Sequence, residues 1–429
     1  MKSRGVSIKT NFFAALVFFI VGFSSNPALA DIYNRQILPV GEGEAFMANT
    51  GTGGIADTGA VYYNPAALAS IAHSRMAVTG STYLSFGIKA DSVARIDTPA
   101  QDVPYQANGF NTIPASYVLT YALDHAVIAF SVLVPDSLQL ENRANFTTTN
   151  TKGVIAQSYK YSDLWLGASY ATRIDSEWSV GATLFGIHHA ESSLVDMEVD
   201  FPNTANSIVS SINRSDVGTM GFSLNFGVLY ELSKAINLGL RIQTPLLNIS
   251  NRADTLINTR TVNAGVLTST DEDHPNGSAN YQLPLDTTLG ARFRPADGWD
   301  IYTDLSFQVG AQYTALPDSS IDSEVSTDPT FRYAVGTRVL ITEKIPARFG
   351  LFYNPSALHQ FKNNGKSQTK VDCFGITGGL SYIIEHVETG VGLFYISGTG
   401  QSTSDGAPGD ASKYAMTGVG ALISTSYRF

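Results

Sequence analysis

A two-residue alternation recurs down this chain between connections that are by turns short and long, and it limits the fold severely. In residues 280–295 one parity reads Tyr281, Leu283, Leu285, Thr287, Leu289, Ala291 and Phe293, and the other Gln282, Pro284, Asp286, Thr288, Gly290, Arg292 and Arg294. Residues 298–314 repeat it, with Ile301, Thr303, Leu305, Phe307 and Val309 against Tyr302, Asp304, Ser306, Gln308 and Gly310. In 235–250, Ile236, Leu238, Leu240 and Ile242 oppose Asn237, Gly239, Arg241 and Gln243. Successive side chains of a strand point to opposite faces, so the charges of these three strands share one face. Such strands can be drawn at 74–89, 111–123, 125–138, 160–174, 177–194, 219–233, 235–250, 280–295, 298–314, 328–341, 345–358, 373–386, 388–400 and 414–429. That is fourteen, an even number, and most reach the roughly 9–11 residues that a tilted strand needs to cross a bilayer.

The connections separate this pattern from a soluble sandwich. Short ones fall at 123–125, 174–177, 233–235, 295–298, 342–344 and near 386–387; long ones at 90–110, 139–159, 195–218, 251–279, 315–327, 359–372 and 401–413. Short periplasmic turns and long extracellular loops mark an outer-membrane barrel, whereas a sandwich has no reason to gather its long loops at one end. Lipid cannot solvate charge, so the charged parity must face the lumen. The expected fold is all-β: a 14-stranded antiparallel transmembrane β-barrel with both mature termini periplasmic. Only 15% of residues are charged, against about 25% in soluble domains. A net charge of −10 argues against nucleic acid as a partner. A single cysteine, Cys373, excludes a disulfide framework or a multi-cysteine metal site.

Both ends carry expectations of their own. Residues 1–30 read as a signal peptide: Lys2, Arg4 and Lys9, then an apolar run from Phe12 to Phe23, then Ala28-Leu29-Ala30 before Asp31. At the other end Ile423, Thr425, Tyr427 and the terminal Phe429 share one face. A terminal aromatic after alternating residues resembles the signal read by the outer-membrane assembly machinery. Outer-membrane lipid and that machinery are therefore expected partners, and a monomer is the expected state.

Between these lie residues 31–73, rich in glycine (Gly41, Gly43, Gly51, Gly53, Gly54 and Gly59) and poor in alternation. They form either a periplasmic tail or a plug in the lumen, where glycine permits close backbone packing. The run Gly53-Gly54-Ile55-Ala56-Asp57-Thr58-Gly59-Ala60-Val61-Tyr62-Tyr63-Asn64-Pro65-Ala66-Ala67-Leu68 resembles the signature of the FadL/TodX/OmpP1-like family of outer-membrane transporters. Val180-Gly181-Ala182, Leu238-Gly239-Leu240-Arg241 with Thr244-Pro245, and Trp299-Asp300-Ile301-Tyr302-Thr303-Asp304 extend the likeness more weakly. The resemblance implies a barrel (74–429) closed by an N-terminal luminal hatch (31–73), and passive transport of long-chain fatty acids or other hydrophobic compounds, without cofactor or catalysis.

Candidate functional residues follow from both arguments. Asn64-Pro65-Ala66 is either a hatch element that moves for transport or a structural turn, since Asn-Pro favours turns. A similar Tyr353-Asn354-Pro355 reads as a strand end. Pro135 cannot donate to a ladder; it marks either the strand end at the rim or, as the resemblance implies, a kink that opens the wall sideways. Parity places Arg241, Arg292, Arg294, Arg332, Arg338 and Arg348 in the lumen with Asp286, Asp304 and Glu385. These form a structural charge ladder that holds the hatch through Glu42, Glu44 or Asp57, or they receive a ligand carboxylate, for which Arg241, Arg292 and Arg348 are the candidates; a guanidinium fork matches that group. Adjacent His188 and His189 point to opposite faces and cannot share a metal. No Ser/His spacing marks a nucleophile and base. The rival reading is a surface receptor, adhesin-like or structural barrel with a closed lumen.

Overall fold

The chain is described by a computed structural model over residues 34–79, 82–96, 101–113, 116–147, 152–201, 207–263, 266–319, 324–360, 368–403 and 411–429. The signal-peptide expectation lies outside the described residues. The first half of the wall comprises β1 (Arg75–Thr79), β2 (Thr82–Ile96), β3 (Gln101–Ile113), β4 (Ser116–Ala122), β5 (Ala126–Leu133), β6 (Ser137–Thr147), β7 (Lys152–Arg173), β8 (Trp178–Phe201) and β9 (Ser207–Ser233). Then follow β10 (Ile236–Gln243), β11 (Leu247–Asn263), β12 (Val266–Gly277), β13 (Asp286–Ala296), β14 (Trp299–Gln308), and a small hairpin of β15 (Gln312–Thr314) with β16 (Glu324–Ser326). The rest is β17 (Thr330–Thr342), β18 (Ile345–Asn354), β19 (Gln368–Ile384), β20 (Val387–Thr403) and β21 (Ser412–Arg428).

These build a closed antiparallel barrel of fourteen strands. Five strands are two segments end to end: β1/β2, β3/β4, β5/β6, β10/β11 and β12/β13. Closure comes from β21, which pairs with β20 on one side and with β1 and β2 on the other, so that Arg75 lies opposite Arg428. The outward face is apolar, with Phe130, Leu166, Leu184, Phe222, Leu289, Val335, Leu393 and Val419 all exposed. Among the described residues no helix is long and apolar enough to span a membrane. Aromatics gather at the short-turn end, where Trp178 stacks on Tyr230 and Phe429 lies against Tyr121 and Tyr427.

The strands run well past the sequence-drawn limits. β8 and β9 reach 24 and 27 residues, and β11 with β12 continues the ladder through the region read as the loop 251–279. Most of β12 is exposed on both faces. Where no lipid demands an apolar face, the ladder continues and the alternation disappears.

Among the described residues, the wall is interrupted at three places that contain a proline. At Val134-Pro135-Asp136, Leu133 lies opposite Trp165 but Ser137 opposite Ser162, so one strand carries an extra residue. This is the signature of a bulge. The amide of Asp163 still donates to the Asp136 carbonyl at 3.0 Å. Pro135 therefore does not end its strand, which resumes at Ser137. Thr244-Pro245-Leu246 inserts one residue in the same way, with Gln243 opposite Asn225 and Leu247 opposite Phe222. Residues 278–285, containing Pro284, are not strand at all. Tyr281 and Leu283 accordingly do not join the outward row that alternation gives them: Leu283 is buried, and the Tyr281 hydroxyl donates to Asp163 at 3.1 Å.

Candidate functional site

The site is built by the N-terminal segment and the wall facing it. Residues 38–71 are almost wholly buried, though their own regular structure is only the 3-10 turns Glu44–Met47 and Pro65–Ser70 and one helical turn, Ala60–Tyr63. What brings so irregular a segment against the sheet is a row of paired glycines. Gly181 faces Gly227, Gly239 faces Gly290, Gly336 faces Gly350, and Gly379 faces Gly392 across neighbouring strands. A Cβ at Gly181 would lie 2.5 Å from the backbone of Pro65, and one at Gly290 2.5 Å from the amide of Gly53. At Gly239 it would run into the carbonyl of Thr52, and at Gly350 into Met47. Close approach is what glycine allows here.

Inward side chains then cap the segment's open backbone, since buried polar groups need partners. Asp304 accepts from the amides of Gly51 and Thr52, both at 3.1 Å. Thr377 accepts from the Ala48 amide at 2.7 Å, Thr183 donates to the Val61 carbonyl at 2.9 Å, and Asn225 to Tyr62 at 2.6 Å. Asn64 is fully buried on the Gly181–Gly227 pair. Its Nδ2 donates to the carbonyls of Thr52 (2.8 Å) and Val228 (3.1 Å), and its Oδ1 accepts from the Ala66 amide at 3.1 Å, with Pro65 opening the turn. Asn64 thus ties two stretches of the segment to each other and to the wall. The similar Asn354 ends β18 and holds residues 34 and 35: its carbonyl accepts from Asn34 at 2.8 Å, and its Nδ2 donates to the Arg35 carbonyl.

Two apolar clusters flank the segment. One joins Tyr62, Leu68, Trp165, Phe185, Leu246 and Leu283, beside the break at Pro135; the other joins Phe46 to Leu84, Phe352, Phe394 and Leu422. Ring centroids of Trp165 lie 5.6 Å from Tyr62 and 5.1 Å from Phe185, edge to face. Full burial of such a side chain contributes roughly 1.5–3 kcal/mol.

The three candidate arginines fall on opposite sides of the glycine row. Arg241 is buried, ion-paired to Asp286, which Arg332 also holds, and lies 5.8 Å over the Tyr62 ring. It lines a narrow pocket with Asn49, Tyr63, Arg332, Phe352 and Asn354. Arg292 and Arg348 instead line a larger cavity, of about 330 Å³, toward the short-turn end. The strands show the separation directly. Thr288, Arg332 and Asn354 border the first pocket, Arg292, Arg338 and Arg348 the second, and between them on the same strands stand Gly290, Gly336 and Gly350.

Of the three acids on the segment, Glu42 bonds a wall arginine, Arg75, and also accepts from Ser426 at 2.6 Å. Asp57 caps the amides of Gly43 (3.1 Å) and Gly59 (2.9 Å). Glu44 is fully buried between Gly41, Gly51 and Gly59. Burial, with Asp57 beside it, pushes its carboxyl well above the ordinary value. Sequence parity picks Glu385 as a lumen acid, but it sits exposed in a turn at φ 50°, and the buried acid is Glu388. Arg75 and Arg428 also escape a strand-by-strand reading. The signal for them is closure itself, which sets the first strand beside the last. His189 is buried: its Nδ1 lies 2.6 Å from Asp163 and its ring stacks on Tyr281 at 3.8 Å.

Comparison with known proteins places this architecture. A family model described as outer membrane protein transport protein (OMPP1/FadL/TodX) matches residues 38–429. Among solved structures, a Pseudomonas aeruginosa FadL homologue is similar with a TM-score of 0.66 at 15% identity, over 92% of this chain and 100% of that one. The P. putida toluene transporter TodX follows at 0.62 and 14%, over 92% and 99%. A monoaromatic hydrocarbon channel, CymD, gives 0.57 and 12%, over 92% and 99%. No curated protein matches by sequence.

Proposed function

Because this chain belongs to the OMPP1/FadL/TodX family of outer-membrane channels for hydrophobic compounds, we propose that its own cargo is long-chain fatty acids, moved passively past residues 34–73 acting as a hatch. The observation that carries this reading is the juxtaposition of a buried apolar cluster with the Arg241–Asp286–Arg332 group on the long-loop side of the hatch. An acyl tail gains about 0.8 kcal/mol per buried methylene, and a carboxylate is suited to a guanidinium fork. In this reading the long loops face outward and both termini the periplasm. Cargo enters from the loops, the hatch pivots on Asn64-Pro65-Ala66, and the break at Pro135 offers a sideways path into the membrane. Assembly through Phe429 and a monomeric barrel complete the proposal.

A second reading has its own support. The edge-to-face rings of Tyr62, Trp165 and Phe185 suit a neutral monoaromatic compound, as the names of TodX and CymD suggest for those proteins. Binding of palmitate and of toluene to Arg241→Ala separates the two. Loss of a charged hydrogen bond costs about 1.5–3 kcal/mol, so palmitate should weaken at least tenfold while toluene is unchanged. Tight toluene binding by the wild type, with palmitate ignored, favours the second reading. If neither binds, the closed receptor or structural barrel stands.

A further inference from the structure

The cavity on the short-turn side of the glycine row has a charge arrangement that bracing the wall does not require. Two carboxylates hold six arginines. Asp300 is shared by Arg294 at 2.9 Å, Arg338 at 3.4 Å and Arg292 at 3.9 Å. Glu388 is shared by Arg348 at 2.8 Å, Arg75 at 3.5 Å and Arg428 at 3.8 Å. The acids of the hatch itself, Glu42 on Arg75 and Asp57 on the cavity wall, bring the total to four. All six guanidiniums and Asp57, Asp300 and Glu388 line the cavity of about 330 Å³. Cation exceeds anion there even with every carboxylate ionised.

The guanidiniums are also incompletely used. Arg75 and Arg348 have side chains only 9% and 7% exposed, and the Nε of each is buried with no hydrogen-bond partner. Buried donors left open cost free energy, and six guanidiniums face three carboxylates in the cavity wall. A monovalent oxyanion bound among the guanidiniums that line the cavity offsets the surplus of charge. The cavity holds several atoms more than a bare carboxylate, and Ile55, Ile71, Tyr302 and Ile383 give it apolar wall for the first methylenes of a tail.

We infer that this vestibule is a second anion site, separated from Arg241 by the hatch, which receives the carboxylate of an aliphatic amphiphile on the release side. The inference rests on the channel reading above and adds to it a periplasmic exit selective for anionic cargo. A carboxylate arriving at Arg75 competes with Glu42 for the same guanidinium, so occupancy of the site weakens one of the hatch's ionic attachments. Neutral cargo has no such purchase.

The test compares decanoate with decanol, which share a chain length and differ in charge, on the full-length barrel in lipid nanodiscs. Equilibrium binding is measured for wild type, for Arg294→Gln with Arg338→Gln, and for Asp300→Asn. The wild type should hold two decanoates per barrel. The double arginine variant should weaken one of them about tenfold or more, and Asp300→Asn, which increases the surplus, should tighten that same one; decanol should follow neither change. Arg294→Gln alone serves if the double variant does not fold. A single decanoate per barrel, or a decanoate-to-decanol ratio that none of these variants alters, overturns the vestibule while leaving the channel reading intact. Failure of the wild type to bind either compound overturns the channel reading as well.

Discussion

The wall and the segment packed against it are held by different kinds of interaction. In the wall, the strands are tied to their neighbours by long backbone ladders, which resume on the far side of the bulges at Pro135 and Pro245 and of the irregular stretch 278–285. The N-terminal segment has three short turns and depends on others for its backbone partners: Asp304, Thr377, Thr183, Asn225 and its own Asn64. The wall's ladder is backbone to backbone, while the segment's attachments are side-chain contacts that single substitutions remove. The distinction is what the proposed hatch requires.

The largest expected effect comes from filling the glycine row. Gly239→Val places a side chain where the Thr52 carbonyl now sits, and overpacking of this kind typically costs about 1–3 kcal/mol or more. The segment should leave the lumen while the barrel stays folded. Protease cleavage within residues 44–70, with heat-modifiable gel mobility retained, would show it; loss of the folded barrel itself would erase the contrast between wall and segment. A smaller effect is expected from Asn64→Ala with Pro65→Ala. Leaving the carbonyls of Thr52 and Val228 short of a donor costs about 1–3 kcal/mol. Hydrogen exchange over residues 52–66 should accelerate, exchange in β7–β9 should not, and palmitate uptake should change at equal surface expression.

The smallest effect is a pH dependence. The Glu44 carboxyl is raised in the folded segment above its ordinary value, so protonation favours the packed state. That contribution is complete below the ordinary carboxylate pKa and is lost as pH rises through the raised one. Protection factors over residues 41–63, which discount the intrinsic rise of amide exchange with pH, should therefore fall between mildly acidic and alkaline pH, and Glu44→Gln should flatten the trend. An equal trend in the variant would assign the dependence to another group.

The same contrast explains what the sequence discloses. Strands that touch lipid carry alternation because one face must be apolar, so the wall's count and closure are legible from 235–250 and 298–314. Beyond the lipid that demand ends, and β12 with the upper parts of β8, β9 and β11 reads as loop. Parity also fails locally at turns and breaks. The left-handed Glu385 shifts the count by one and hides Glu388, and the irregular stretch 278–285 brings Tyr281 and Leu283 inward. Arg292 and Arg348 are found by parity, but their separation from Arg241 depends on where the irregular segment lies, which no periodicity encodes. The inward glycines are visible in sequence as isolated residues; only the strand register shows that they come in facing pairs.

If cargo passes only when the N-terminal segment moves against the wall, a reversible tether between the two must stop it. The Ala48 amide donates to the Thr377 hydroxyl at 2.7 Å, so the two positions are neighbours, and Ala48→Cys with Thr377→Cys can be tethered by oxidation or by a short thiol reagent that reduction cleaves, with formation of the tether checked by mass. In proteoliposomes, palmitate and toluene uptake by this variant should stop on oxidation and return on reduction, while wild type is indifferent to both treatments. Undiminished uptake with the cross-link formed would contradict the account.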